Sequence, residues 1–515
     1  SQMASATTLR HAALEQIHKT TWHPKWGEER IAGMVENRPD WCISRQRMWG
    51  VPITVLYCEK CNEPVHSPEL FAKVKEIFST EGADAWYERP ASDFYAKACK
   101  CGGTEYRTEL DILDVWFDSG SSHIAVLKKR PELTWPAAVY IEGHDQHRGW
   151  FQSSLLIGTG IEGGAPFEQV VTCGFILNEA GDKMSKSKGN ALSPQDVIKQ
   201  YGADILRLWV SVSDYTSDIP FGPQILAKAA DSYLKIRNSG ARYLLGNLTD
   251  FDPEKDAVPL EKLHDFDKWA LDRATTVFER CRRAYEDYDF HLIYQRILDF
   301  VTVDLSKIYV DVAKDIVYIE APASHLRRSA QTVMYHIVRG LAQILAPVLS
   351  FTADEIYDAL PGPKERSVHL ADFPALDARL TDGQREAWDR ILQLREEVNK
   401  VLENARDAKQ IGKSLEADIN IYGDFAPASL LGDVNVDLAR IFIVSHVNFR
   451  PLSEFGGVPL DVKGIGKAGV GMEKSRGKKC GRCWNYREEV TEDGYPCARC
   501  QAIMEKLAIP EEPTV

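Results

Sequence analysis

Eight of the eleven cysteines in this chain fall in short-spaced pairs, and paired thiols at such spacing are metal ligands by their chemistry. Cys480-Gly-Arg-Cys483 and Cys497-Ala-Arg-Cys500 are two CxxC pairs separated by 13 residues. Two knuckles and a return hairpin of that length supply the four soft ligands of tetrahedral zinc. Cys58-Glu-Lys-Cys61 and Cys99-Lys-Cys101 form a second candidate metal site, less regular because one pair is spaced CxC and 37 residues intervene. Cys42, Cys173 and Cys281 remain and read as ordinary buried thiols. A different chemistry is offered by Lys183-Met-Ser-Lys-Ser-Lys-Gly189-Asn190. Lysine ammonium groups neutralise charge on phosphoryl oxygens, serine hydroxyls donate hydrogen bonds, and glycine lets such a loop close on a polyphosphate. Residues 463 to 487 hold eight Lys or Arg against the single acid Glu473. The chain as a whole carries a net charge of −13, so any contact with nucleic acid must be local, and Lys478, Lys479 and Arg482 are the candidate phosphate contacts.

The elements that must position these residues follow from hydrophobic pattern. Short apolar runs, Ile112 to Phe117, Ala138 to Glu142 and Gln169 to Cys173, alternate with helical patterns over Arg148 to Ile161 and Pro194 to Tyr201. That alternation predicts β-α-β units and a parallel sheet. A helix is expected over Leu9 to Lys19, followed by a Trp- and Pro-containing connector. Beyond about Ile225, Leu271, Ala274, Val277, Phe278, Cys281 and Tyr285 keep one apolar face at helical period, which predicts an antiparallel bundle. Another amphipathic helix runs through Trp388, Ile391, Leu392, Arg395, Val398, Leu402 and Ala405. Gly464-Ile-Gly466-Lys-Ala-Gly469 fits GxGxxG formally, lacks a following helix, and is expected to be a loop. The fold class is multidomain α/β plus all-α. Its expected parts are 1–40, 41–224 with a zinc knuckle at 58–103, 225–385, and 386–515 with a C-terminal α+β zinc module at 480–500. The longest apolar stretch, Leu341 to Phe351, is too short to span a bilayer, and a thiol-rich chain with metal-ligand spacing suits a reducing compartment. No membrane partner and a cytoplasmic location are expected.

Four strings in one order give these parts an identity. Trp41-Cys-Ile-Ser-Arg-Gln-Arg-Met-Trp-Gly-Val-Pro-Ile53, Asp111-Ile-Leu-Asp-Val-Trp-Phe-Asp-Ser-Gly120, Glu142-Gly-His-Asp-Gln-His-Arg-Gly-Trp150 and Lys183-Met-Ser-Lys-Ser187 resemble those of the class I aminoacyl-tRNA synthetases. The resemblance is to the second half and C-terminal end of the bacterial isoleucine family. Valine enzymes usually differ at the third string and lack the terminal cysteines; leucine enzymes differ at the second and third. The resemblance implies the second half of a Rossmann-like catalytic domain at 41–224, a helix-bundle anticodon-binding domain at 225–385, and a tRNA-binding C-terminal region. Residues 1–40 would be the end of an editing insertion and a connector. It implies ATP, delivered with magnesium, and isoleucine as substrates, tRNA-Ile as partner, and a monomer. It assigns Glu142, Gly143, Asp145 and Gln146 to the aminoacyl-adenylate, Trp116 and Trp150 to the side-chain pocket, Lys186 to ATP, and Lys183 as its catalytic partner across the loop. Trp484, next to Cys483, fits the family's Cys-x-x-Cys-Trp form.

The His-Ile-Gly-His type string of the first catalytic half occurs nowhere in the 515 residues. The chain is therefore expected to be a C-terminal portion of about half an enzyme, inactive alone, with editing residing elsewhere. The competing reading is a non-catalytic, zinc-containing tRNA-binding protein. Intact Lys-Met-Ser-Lys-Ser and Asp-Gln-His-Arg strings favour the ligase, because a pure binding module has no use for them.

Overall fold

The computed structural model describes residues 8–47, 49–182, 184 and 193–508. The chain divides into two compact units, Ser1–Leu177 with Tyr215–Pro220, and Asn178–Asp214 with Phe221–Val515.

The first unit is built on a three-stranded parallel sheet in the order Thr21–His23, Phe167–Cys173, Ala137–Gly143. Val170, fully buried at its centre, lies in register between Trp22 and Tyr140. Helices Leu9–Lys19, Trp26–Glu36 and Trp150–Glu162 bring Ala13, Ile17, Ile31, Val35, Phe151 and Leu155 to this sheet. The Thr8 hydroxyl caps the first helix by accepting from the His11 amide, and Gly163, at φ +76°, ends the last one in the left-handed region that favours glycine. The stretch read as a connector after Leu9–Lys19 is thus a strand and a helix within the core. The Ile112 to Phe117 run also differs from its expected strand. It splits into a strand, Ile112–Leu113, and a helix, Val115–Gly120, because the Asp114 carboxylate caps the helix at the Trp116 amide. A separate antiparallel sheet of Pro64–Val65, Leu56–Cys58 and Tyr106–Thr108 has its own core of Leu56, Leu70, Val74, Ile77, Trp86 and Phe94.

In the second unit, Asp265–Glu286, His325–Leu345 and Asp382–Asp407 are the longest helices. The predicted face of the first is buried at Leu271, Ala274, Val277, Phe278 and Cys281, and Tyr285 donates its hydroxyl to the Ile344 carbonyl. Thr381 and Gln384 form a capping box for Asp382–Asp407. A four-stranded mixed sheet follows, in the order His446–Arg450, Ala417–Gly423, Gly466–Lys474, Leu460–Val462. Bundle and sheet share one hydrophobic core that runs from Leu208 to Val470. The GxGxxG segment is the hairpin turn between the last two strands, and its second half is strand rather than loop. Among the described residues no helix is long and apolar enough to cross a membrane.

Candidate functional site

The strand Ala137–Gly143 ends on Glu142 and Gly143, the chain turns through His144–His147, and the helix Trp150–Glu162 begins. Ligands in open parallel sheets bind at this carboxyl end. Gln146 organises the turn: its Oε1 accepts the Trp150 amide at 3.0 Å while its Nε2 donates to Asp145 Oδ2 at 3.2 Å. The Asp145 carboxylate is thereby held over Gly143, where a Cβ would come within 2.8 Å of Oδ1. Glu142, Gly143, Asp145 and Gln146 are brought together, with the Glu142 and Asp145 carboxylates available as acceptors for hydroxyl or amino groups.

The two tryptophans take different places. Trp116 is 43% exposed and its ring lies against the Gly149 backbone, so that a Cβ at Gly149 would meet the indole at 2.9 Å. Only glycine permits that approach. Trp150 instead stacks on Tyr140, with ring centroids 4.2 Å apart and planes 7° from parallel, and donates Nε1–H to the Ser119 carbonyl at 3.0 Å. Its indole belongs to the layer covering the sheet. His147 is likewise core: it is buried beside Trp22 and Phe151, its Nδ1 lies 3.0 Å from the His144 carbonyl, and burial pushes its pKa down to about 4.

Sequence reasoning missed Asp114. This carboxylate is 4% exposed and accepts the Trp41 indole N–H at 3.0 Å, the Arg45 guanidinium, and the Trp116 amide at 3.0 Å. It therefore ties the first signature string to the second. The partners stand 69 and 73 residues away in sequence, and the only signal was that all three lie inside the quoted strings. Lys183 and Lys186 lie outside the described residues. The strand Ile176–Asn178 precedes them, and the helix Pro194–Tyr201, expected from its pattern and capped by Ser193, follows.

At the C-terminus, Cys480, Cys483, Cys497 and Cys500 are all buried and their sulfurs lie within 4.8 Å of one another. The Cys483 and Cys497 sulfurs are 3.7 Å apart, against ~3.8 Å for two thiolates at Zn–S ≈ 2.3 Å in a tetrahedron. The Cys497 amide donates to Cys480 Sγ at 3.2 Å. Donor type, number and separation fit zinc. Cys58, Cys61, Cys99 and Cys101 converge in the same way, with Cys58–Cys101 and Cys61–Cys99 sulfur distances of 3.7 and 3.6 Å. The Cys58 thiol is pulled down to about 7, first by the Cys61 backbone N–H, which favours the thiolate that a metal needs. This set fits zinc as well.

Strand Lys478–Lys479 pairs antiparallel with Tyr486–Arg487 to make the hairpin of the first knuckle. Lys478 is exposed. Lys479 and Lys413 each place Nζ 5.4 Å from the Trp484 ring, which is 53% exposed. Arg482 is half-buried and lines a cavity of about 420 Å³ with Asp315, Asp437, Arg440 and Trp484. Lys413 and Trp484 extend the basic segment, and Lys413 is too remote in sequence to have been found there. Arg499, between two of the cysteines, reaches Asp315 at 2.8 Å and Glu320 at 2.7 Å and fastens the module to the helix Asp311–Ile319.

Three family profiles match the chain: tRNA synthetases class I (I, L, M and V) over residues 3–222, the anticodon-binding domain of tRNA ligase over 267–421, and the zinc finger found in FPG and IleRS over 477–503. Curated relatives include the isoleucine–tRNA ligase of Natranaerobius thermophilus, 44% identical over 98% of this chain and 55% of that protein. The chain belongs to the class I aminoacyl-tRNA synthetases. The isoleucine–tRNA ligase of Geobacter sulfurreducens is 46% identical over 96% of this chain and 54% of its own length. The chain thus spans about 55% of the length of the synthetases it matches. Among solved structures, Mycobacterium tuberculosis methionyl-tRNA synthetase in complex with methionyl-adenylate has a TM-score of 0.51 at 19% identity, covering 72% of this chain and 66% of that one, a likeness of fold.

Proposed function

We propose that this chain is the second-half portion of an isoleucine–tRNA ligase, a synthetase that forms isoleucyl-adenylate from isoleucine and ATP–magnesium and transfers the acyl group to tRNA-Ile in the cytoplasm. The observation that carries the reading is identity of 44–46% over almost the whole chain to ligases of that name. In this reading residues 41–224 are the second half of the catalytic domain, 225–385 the anticodon-binding bundle, and 386–515 the C-terminal tRNA-binding region of a monomer. Glu142 and Asp145 accept hydrogen bonds from the adenylate's ribose and amino group, with Asp145 held by Gln146. Gly143 leaves room for the ligand, and Trp116 offers an apolar wall at the isoleucine side. Trp150 holds the helix that carries Trp116 by donating its Nε1–H to the Ser119 carbonyl. Lys186 and Lys183 neutralise the departing pyrophosphate.

Zinc, when bound by Cys480, Cys483, Cys497 and Cys500, supplies the cross-link that a module with little core of its own needs. The chain's residues then present Lys478, Lys479 and Arg482 to tRNA, with Trp484 available for base stacking. Replacing Lys478 and Lys479 by Ala tests the tRNA part. The dependence of binding on salt should flatten by roughly 0.7–0.9 log units for each phosphate no longer neutralised. An unchanged slope returns both lysines to a solvated face.

A further inference from the structure

The Asp382–Asp407 helix closes on a non-glycine residue, as the Asp265–Glu286 helix does at Tyr288. Ala408 follows it, and Lys409 then takes φ +56°, with its amide on the Arg406 carbonyl and the Gln410 amide on the Ala405 carbonyl. This is the left-handed position that closes helices, and glycine is its comfortable occupant because a Cβ there is strained by roughly 1 kcal/mol. A lysine held in that conformation sits at the mouth of an open notch of about 440 Å³ lined by Arg406, Lys409, Gly412, Glu416 and Lys474. Lys474 arrives from a different element, the end of the strand Gly466–Lys474, opposite Ala417.

The charge here is unbalanced. Glu473, the acid next to Lys474, is engaged by Arg450 and Asn420. Arg406, Lys409 and Lys474 make no ion pair among the described residues. Arg406 has only the Ser414 hydroxyl at 3.4 Å. The Glu416 carboxylate is turned onto the Gly412 and Lys413 amides, at 3.0 and 3.2 Å, and shapes the loop rather than meeting the cations. A cation in the last turn complements the helix dipole, which accounts for Arg406 alone. It does not account for Lys409, which lies beyond the last turn, or for Lys474, which comes from a strand.

We propose that Arg406, Lys409 and Lys474 form a binding notch for phosphodiester groups of an RNA backbone, built from residues other than Lys478, Lys479 and Arg482. The inference rests on the reading of the chain as a tRNA-binding synthetase portion. Three cations from two elements meet one or two phosphates without having to break existing ion pairs.

The test is binding of a tRNA-Ile transcript by the whole chain across a salt series. Lys409→Gly removes the charge while relieving the backbone, so the variant should melt no lower than wild type and bind RNA with a salt slope smaller by roughly 0.7–0.9. Arg406→Ala with Lys474→Ala should flatten the slope further. Unchanged slopes in both variants, with wild type binding RNA, overturn the notch and leave the tRNA reading intact. Absence of RNA binding by wild type overturns both. If inorganic phosphate raises the melting temperature of wild type but not of the variants while RNA slopes stay equal, the notch holds a free anion and the backbone assignment is wrong.

Discussion

Asp267 and Asp114 are both buried carboxylates with different surroundings. Asp267 receives the Tyr309 hydroxyl at 2.7 Å and the Ser329 hydroxyl at 2.6 Å, yet burial still raises its pKa to about 6. The folded state therefore holds this proton more tightly than the unfolded chain, whose carboxyl titrates near ~3.9. The contribution of Asp267 to stability is complete below about pH 4 and is lost as pH rises through about 6. Chemical denaturation of wild type against Asp267→Asn should show the difference between them changing over that window, and parallel profiles would contradict the shift. At Asp114 removal is the telling change. Asp114→Ala leaves the Trp41 indole N–H and Arg45 Nη2 without their acceptor and uncaps the Val115–Gly120 helix, so stability of the first unit should fall by about 1–2 kcal/mol. Equal denaturation midpoints would reduce Asp114 to a surface-like cap. Residues were legible in the sequence where the chemistry is local: two cysteines three apart, or a Glu-Gly-His-Asp-Gln run at a strand end. Asp114 was not, because its partners are brought in by folding, and the different duties of Trp116 and Trp150 depend on Tyr140 and Gly149 lying beneath them.

At the scale of elements, both cysteine clusters should behave as cross-links. Elemental analysis of the purified chain should find two zinc ions, one of which is lost in the Cys480→Ser, Cys483→Ser variant, with the helix Ala498–Leu507 losing protection from proteolysis. One ion in wild type would confine the metal to the C-terminal module, and none would sink both sites. Long helices were readable because their apolar period repeats over several turns, as it does from Leu271 to Tyr285 and from Trp388 to Ala405. The helix–strand–helix at Leu9–Glu36 was half readable. Its strand, Thr21–His23, has three residues and no alternation to detect, and its partner strand Phe167–Cys173 lies far along the chain. Ile112 to Phe117 misled for the opposite reason: an apolar run of strand length was cut by a capping aspartate.

For the whole molecule, the parallel sheet of the first unit is informative. Among the described residues it has three strands, and Ile141, on the edge strand Ala137–Gly143, is 59% exposed. Parallel sheets ordinarily bury both faces, and the exposed Ile141 side chain leaves one face of this strand uncovered among the described residues. Adenylate formation needs the α-phosphate, the adenine and the attacking carboxylate held in near-attack geometry, and effective molarity vanishes when half of the pocket is elsewhere. The most direct test is isoleucine-dependent ATP–pyrophosphate exchange, measured for the chain alone and after mixing with a separately produced first half from a matched isoleucine–tRNA ligase. The chain alone should show none. The mixture should recover exchange, and Lys186→Ala should abolish most of the recovered rate while leaving tRNA binding unchanged. Exchange by the unmixed chain, or recovered exchange indifferent to Lys186, would contradict the assignment of this chain as the second-half portion of the ligase.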